Sequence, residues 1–119
     1  MTIDYKEDDV KIYRYEEELP DVSPDGQRGG TLIDATNGAV KGFCMGISYY
    51  DSETYGEPGV HEDQEGFYVL DGTGVAKIGE EEFRVCPGTA FIATKGVPHT
   101  IKRDASSGPV KVLWSHGAV

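Results

Sequence analysis

The chain has 119 residues, 38% hydrophobic and 27% charged, with 11 basic against 21 acidic side chains and a formal net charge of −10. That length suits one domain, and the acidic balance works against nucleic-acid phosphates and anionic membrane surfaces as partners. No apolar run is long enough for a transmembrane helix, and the polar start from Met1 to Val10 does not read as a secretory signal.

No window carries a helical stripe. Sixteen glycines and six prolines punctuate short alternating or apolar runs, which is the pattern of a turn-rich sheet protein. Residues 1–9 read as a flexible segment, or one that orders against a partner subunit. Val10 to Tyr15 is the first expected strand, ended by Glu16, Glu17 and Glu18 and the loop at Leu19-Pro20-Asp21. Turn residues at Ser23-Pro24-Asp25-Gly26 and Gly29-Gly30 lead to a short strand from Thr31 to Asp34 and the turn Asn37-Gly38. Gly42 to Tyr50 is a central strand whose glycines call for close backbone packing. A loop from Asp51 to Gly59 follows. Gly66 to Leu70 is the next strand, and Asp71-Gly72 turns it into Gly74–Gly79 as a hairpin partner. Glu80 to Val85, Thr89 to Ala93, His99 to Lys102 and Val110 to Trp114 complete nine or ten strands. Their close, even spacing predicts an all-β, antiparallel barrel or jelly roll, one domain over 10–116 with a tail at 117–119. Cys44 and Cys86 form no CxxC pair and each lies in an apolar stretch, so both read as buried, reduced thiols in a cytoplasmic protein.

Only three histidines are present: His61, His99 and His116. His61 stands four residues before Glu65, and His99 opens a later strand. In a closed sheet His61, Glu65 and His99 can converge, and two imidazoles with one carboxylate are ordinary ligands for Fe, Mn, Ni, Co or Zn. Such a set leaves coordination positions open to water or a substrate.

The flanking text adds to the spacing. His61-Glu62-Asp63-Gln64-Glu65-Gly66-Phe67-Tyr68-Val69-Leu70-Asp71-Gly72 resembles the first motif of the cupin superfamily. Gly88-Thr89-Ala90-Phe91-Ile92-Ala93-Thr94-Lys95-Gly96-Val97-Pro98-His99 resembles the second. The likeness is strongest from Tyr49 to Ile101. It implies a cupin-like jelly-roll β-barrel with a pocket, a divalent transition metal on His61, Glu65 and His99, and a family range from isomerases, lyases and oxygenases to plain binding proteins. The chain departs from the family at Gly59, where the first histidine of the motif would fall, at Thr94 in place of a proline and at Arg103 in place of an asparagine. Glu57, His116 or water could complete the ligand set. His116 lies beyond the last expected strand and reads as surface before ligand.

Strand parity assigns the lining. Glu65 facing inward brings Phe67 and Val69 with it and sends Tyr68 and Leu70 outward. His99 brings Ile101, and Val110, Val112 and Trp114 point in. Of the neighbours Tyr49 and Tyr50, Tyr49 is favoured for the cavity, because its face avoids a lining of Cys44, Gly46 and Ser48. Glu65 as a detachable proton acceptor, with Tyr49 or Tyr55 as a phenolic acid, would be the catalytic groups of an enzyme acting on a sugar acid or another small oxygenated molecule. The alternative is a non-enzymatic binding or sensing cupin. A homodimer is expected, with Val10–Tyr15 as the edge strand lent to the neighbour.

Overall fold

Alternation decides the strands. In Gln64–Asp71 the residues Glu65, Phe67 and Val69 are buried while Gln64, Tyr68 and Leu70 are exposed, as a strand with one face on a core requires. The computed structural model describes residues 10–22 and 28–117; the flexible segment expected at 1–9 lies outside them. The described residues form eight strands: β1 (Gly30–Ile33), β2 (Cys44–Tyr50), β3 (Gln64–Asp71), β4 (Gly74–Ile78), β5 (Glu81–Val85), β6 (Ala90–Ala93), β7 (His99–Arg103) and β8 (Val110–Gly117). They build a five-stranded sheet in the order β1-β2-β8-β3-β6 and a three-stranded sheet in the order β5-β4-β7, with every named pair antiparallel. Among the described residues no helix is long and apolar enough to cross a membrane.

The two sheets face each other as a jelly roll. Phe67, Val69, Ala93, Val110 and Val112 from the large sheet meet Ala76, Val85 and Ile101 from the small one in a single buried cluster. Phe83 of β5 and Phe91 of β6 close one side edge to face, with ring centroids 5.2 Å apart. Burying such side chains supplies the main drive to fold, about 25 cal/mol per Å² of apolar surface.

Three expectations need correction. Residues 10–15 form no strand. The outermost strand β1 is met by the Arg14 guanidinium, which donates to the carbonyls of Thr31 at 3.2 Å and Leu32 at 3.0 Å, while the Asn37 amide donates to the carbonyl of Lys11 at 2.7 Å. Side chains, not a ladder, hold this segment. β3 and β4 are not hairpin partners, because Asp71-Gly72 is a corner that carries the chain from one sheet to the other. Gly72 has φ +86°, and a Cβ there would come within 2.4 Å of the Pro109 carbonyl oxygen, so only glycine fits the corner. Both cysteines are free, yet Cys44 is half-buried and Cys86 exposed. Cys86 follows β5 in a turn where the Thr89 hydroxyl donates to its carbonyl at 2.8 Å, outside the core.

Candidate metal centre

Three backbone features bring distant side chains to one end of the jelly roll. Glu65 is the second residue of β3 and shares its inward face with Phe67. His99 opens β7 and exchanges both backbone hydrogen bonds with Gly59, at 2.9 and 3.0 Å, which ties the loop before β3 to the small sheet. His61 lies two residues on, with its carbonyl accepting from the Gly96 amide at 2.9 Å.

The donor atoms of His61, Glu65 and His99 all lie within 4.8 Å of one another. Glu65 Oε1 is 3.0 Å from His61 Nε2 and 3.2 Å from His99 Nε2. The Glu65 and His99 side chains are each 7% exposed, against 39% for His61, so the site has a dry floor and one donor at the rim. Glu65 Oε1 is buried and receives no hydrogen bond of acceptable geometry. His99 Nδ1 sits 3.4 Å from the Val97 carbonyl. A carbonyl can only accept, so Nδ1 carries the proton and the neutral ring turns the Nε2 lone pair toward Glu65. Lone pairs facing a buried carboxylate repel unless a positive charge lies between them. A proton is one candidate: the Glu65 carboxylate raises His99 above the ordinary imidazole value, against the opposing effect of burial. A metal cation is the other, and a donor set of two imidazole nitrogens and one carboxylate fits it.

The cavity above these donors holds about 410 Å³. Ser48, Tyr50, Trp114 and His116 line one wall, and Glu57, Gly59 and Thr100 the other. Tyr50, not Tyr49, is therefore the tyrosine of the site. Tyr49 pairs with Lys111 across β2 and β8, on the outer face with the lysine ammonium over its ring at 5.6 Å, and takes no part in this cavity. The small face of β2 lines the site because Trp114 crosses it. A Cβ on Gly46 would collide with the indole, and the indole nitrogen donates to Ser48 Oγ at 2.9 Å. Burial pushes the Tyr50 phenol up to about 12, so it stays a neutral hydrogen-bonding group. Tyr55 lies elsewhere, against the small sheet, donating to Glu82 at 2.8 Å.

His116 is a second correction. β8 runs three residues past the expected end, and the parity it shares with Trp114 puts the ring in the cavity wall. It stacks on His61 with centroids 4.9 Å apart and planes 9° from parallel. Its Nδ1 lies 2.9 Å from Asp63 Oδ2 and its Nε2 3.1 Å from Cys44 Sγ. The carboxylate fixes the proton on Nδ1, so Cys44 donates to Nε2. Burial and then Asp63 push the Cys44 thiol up, which holds it as a thiol, not a nucleophilic thiolate. Neither His116 nor Glu57 belongs to the converging donor set. At Gly59 a Cβ would lie 2.8 Å from His99 Nε2, so this position faces the cavity and the His99 ring packs against bare backbone. Nothing in the sequence marks Asp63 or Thr100, whereas Ser48 and Tyr50 lie on the face of β2 set aside in favour of Tyr49, and His116 shares the parity of Trp114.

A family model described as a cupin domain matches residues 48–116. No curated protein matches the sequence. Among solved structures, the Schizosaccharomyces pombe Cnp3 cupin domain superposes with a TM-score of 0.65 at 16% identity, covering 77% of this chain and 61% of that one. KdgF from Halomonas sp. gives 0.62 at 23% identity, covering 87% and 91%. Fe(II) HppE in complex with substrate gives 0.60 at 18% identity, covering 73% of this chain and 51% of its own. At these identities the likeness speaks for the fold alone.

Proposed function

The chain belongs to the cupin family, and from that premise we propose that it binds one divalent transition metal on His61, Glu65 and His99 and presents the ion to a small oxygenated molecule in the cavity above. The observation that carries this reading is Glu65 Oε1: buried, without a hydrogen-bond donor, and 3.0 and 3.2 Å from two imidazole nitrogens. A cation there satisfies an oxygen that would otherwise cost about 1–3 kcal/mol or more, since it is charged. Fe(II) HppE, solved in complex with its substrate, shares the fold and lends support. Such an ion would supply Lewis acidity and open positions for oxygen ligands. The chain's own groups would do the rest. Glu65 can take a proton when it leaves the ion. Tyr50, Ser48 and Thr100 offer neutral hydrogen bonds, and Trp114 gives the wall an apolar face. Isomerase, lyase and oxygenase chemistry all fit this equipment.

The second reading, a binding or sensing cupin, is favoured by Gly59. It removes the fourth side-chain donor, and Glu65 is the one carboxylate that the described residues place among the donors. The test is metal analysis of the untagged chain with a Co(II) titration read by the fluorescence of Trp114, the chain's single tryptophan. One equivalent and a saturable change are expected. A metal content of zero after repeated reconstitution sinks both metal-based readings.

Two broader readings accompany the site. The free thiols Cys44 and Cys86 support a reducing, cytoplasmic setting. The exposed apolar side chains Tyr68, Leu70 and Ile92 on the outer face of β3 and β6 support a homodimer, which sedimentation at micromolar concentration tests and a monomer refutes.

A further inference from the structure

The charge balance of the cavity goes beyond the metal itself. Among the described residues no lysine or arginine lines it, while two carboxylates, Glu57 and Glu65, do. The cations on β4 and β7 are engaged elsewhere. Lys102 and Lys77 lie over the Tyr55 ring at 4.7 and 6.0 Å. Arg103 donates to the carbonyls of Ser107 and Asp104 at 3.0 and 3.2 Å and faces Asp51 and Glu53. Among the described residues a sugar acid entering this cavity would meet no lysine or arginine to pair with its carboxylate. A divalent ion on Glu65 leaves a single positive charge, which the Glu57 carboxylate cancels in a chain whose net charge is already −10.

We propose that the cavity selects small hydroxylated molecules bearing no negative charge, and that Glu57, on the wall beside Gly59, is the residue that turns carboxylates away. The proposal rests on the reading of this cavity as a small-molecule site and narrows its ligand class. The remaining polar groups suit a polyol: Ser48, Thr100 and Tyr50 are neutral donors and acceptors, and the Trp114 indole gives an apolar face of the kind sugar-like carbons pack on. Glu57 is exposed, so solvent weakens its effect and the discrimination is a modest factor.

Three six-carbon probes that differ at one terminus test it: D-gluconate, D-sorbitol and D-glucamine, each titrated into the full chain with and without one equivalent of Co(II), followed by Trp114 fluorescence and calorimetry. D-sorbitol and D-glucamine are expected to bind, with D-gluconate weaker than D-sorbitol by about two- to fivefold at low salt and the gap closing as ionic strength rises. In Glu57→Gln the ratio of D-gluconate to D-sorbitol affinity rises by about the same factor, and an unchanged ratio overturns the role of Glu57. Gluconate binding as tightly as sorbitol to the unaltered chain overturns the proposal, and so does the absence of binding by both sorbitol and glucamine. Metal content measured after each titration separates this failure from that of the metal reading. A chain that holds no Co(II) yet ranks the probes as expected loses the metal and keeps the selectivity; one that holds Co(II) and prefers gluconate does the reverse.

Discussion

Follow the β3–β8 pair from one end of the jelly roll to the other and the inward rungs change character in three steps. Glu65 stands opposite His116, Phe67 opposite Trp114, and Val69 opposite Val112. The first rung borders the cavity, the second is aromatic, and the third is fully buried, with Val69 and Val112 at 0% exposure. The register is regular from Glu65 to Val69, so along these three rungs side-chain choice makes one end a site and the other a core. The aliphatic end satisfies itself: each valine meets apolar neighbours from both sheets. The polar end leaves Glu65 Oε1 and Asp63 Oδ1 buried without partners. Native interiors keep few such groups, and they concentrate here at the end that opens to solvent. Stability is thus expected to live at the valine end and ligand chemistry at the histidine end.

Two substitutions break that division in opposite directions. His61→Ala removes one of the three converging donors, a side chain that is 39% exposed, so the fold should lose little. The expected loss is more than about 100-fold in metal affinity, because even residues supporting a metal ligand are commonly worth 10–100-fold. Competitive titration against a chelator of known affinity measures it, and an unchanged affinity would remove His61 from the site. Val112→Ala does the converse. Truncating a fully buried side chain between the sheets should cost about 2 kcal/mol in urea unfolding of the metal-free chain, while the folded fraction keeps its metal affinity. If instead Val112→Ala weakened metal binding as much as His61→Ala, the two ends would be one cooperative unit and the division would fail.

The same contrast explains what could be read from the sequence. At the apolar end period-two alternation suffices: Phe67, Val69, Ile101, Val110 and Val112 all face inward as their parity requires. The meeting of His61, Glu65 and His99 was legible as well, because the motif text fixed which residues share a face. What failed depended on how side chains from separate strands fill one volume. β2 turns Gly46 and Ser48 inward, a thin lining by composition that argued for Tyr49 over Tyr50. The structure shows why the thin face is the inner one: Trp114 from β8 occupies the space that Gly46 leaves free. His116 reads as surface in the sequence because the apolar alternation ends at Trp114, although pairing with β2 and β3 carries the strand to Gly117. Strand ends are set by the partner's length, which a single sequence does not display.

The smallest expected effect separates the two ends through pH. In the metal-free chain the Glu65 carboxylate raises His99 above its ordinary value, while in the unfolded chain an imidazole titrates near 6.5. The native state therefore binds the extra proton more tightly, and its stability falls with rising pH wherever it holds more protons than the unfolded state. The contribution is fully present below about pH 6.5 and is lost as the pH climbs through the raised folded value. Metal binding runs the other way, since the ion needs the unprotonated His99 nitrogen and competes with that proton. Over this window the Tm of the metal-free chain should drift down as the affinity for Co(II) drifts up. Val112→Ala should lower Tm throughout and leave the His99-linked part of both slopes as it was, because Val112 stands two rungs along the pair from Glu65. Substituting His99→Gln should abolish that contribution to the downward drift. A metal-free Tm that rises with pH across the window by an amount that His99→Gln removes would mean that the Glu65–His99 contact is not what holds the proton, and the polar end would need a different account.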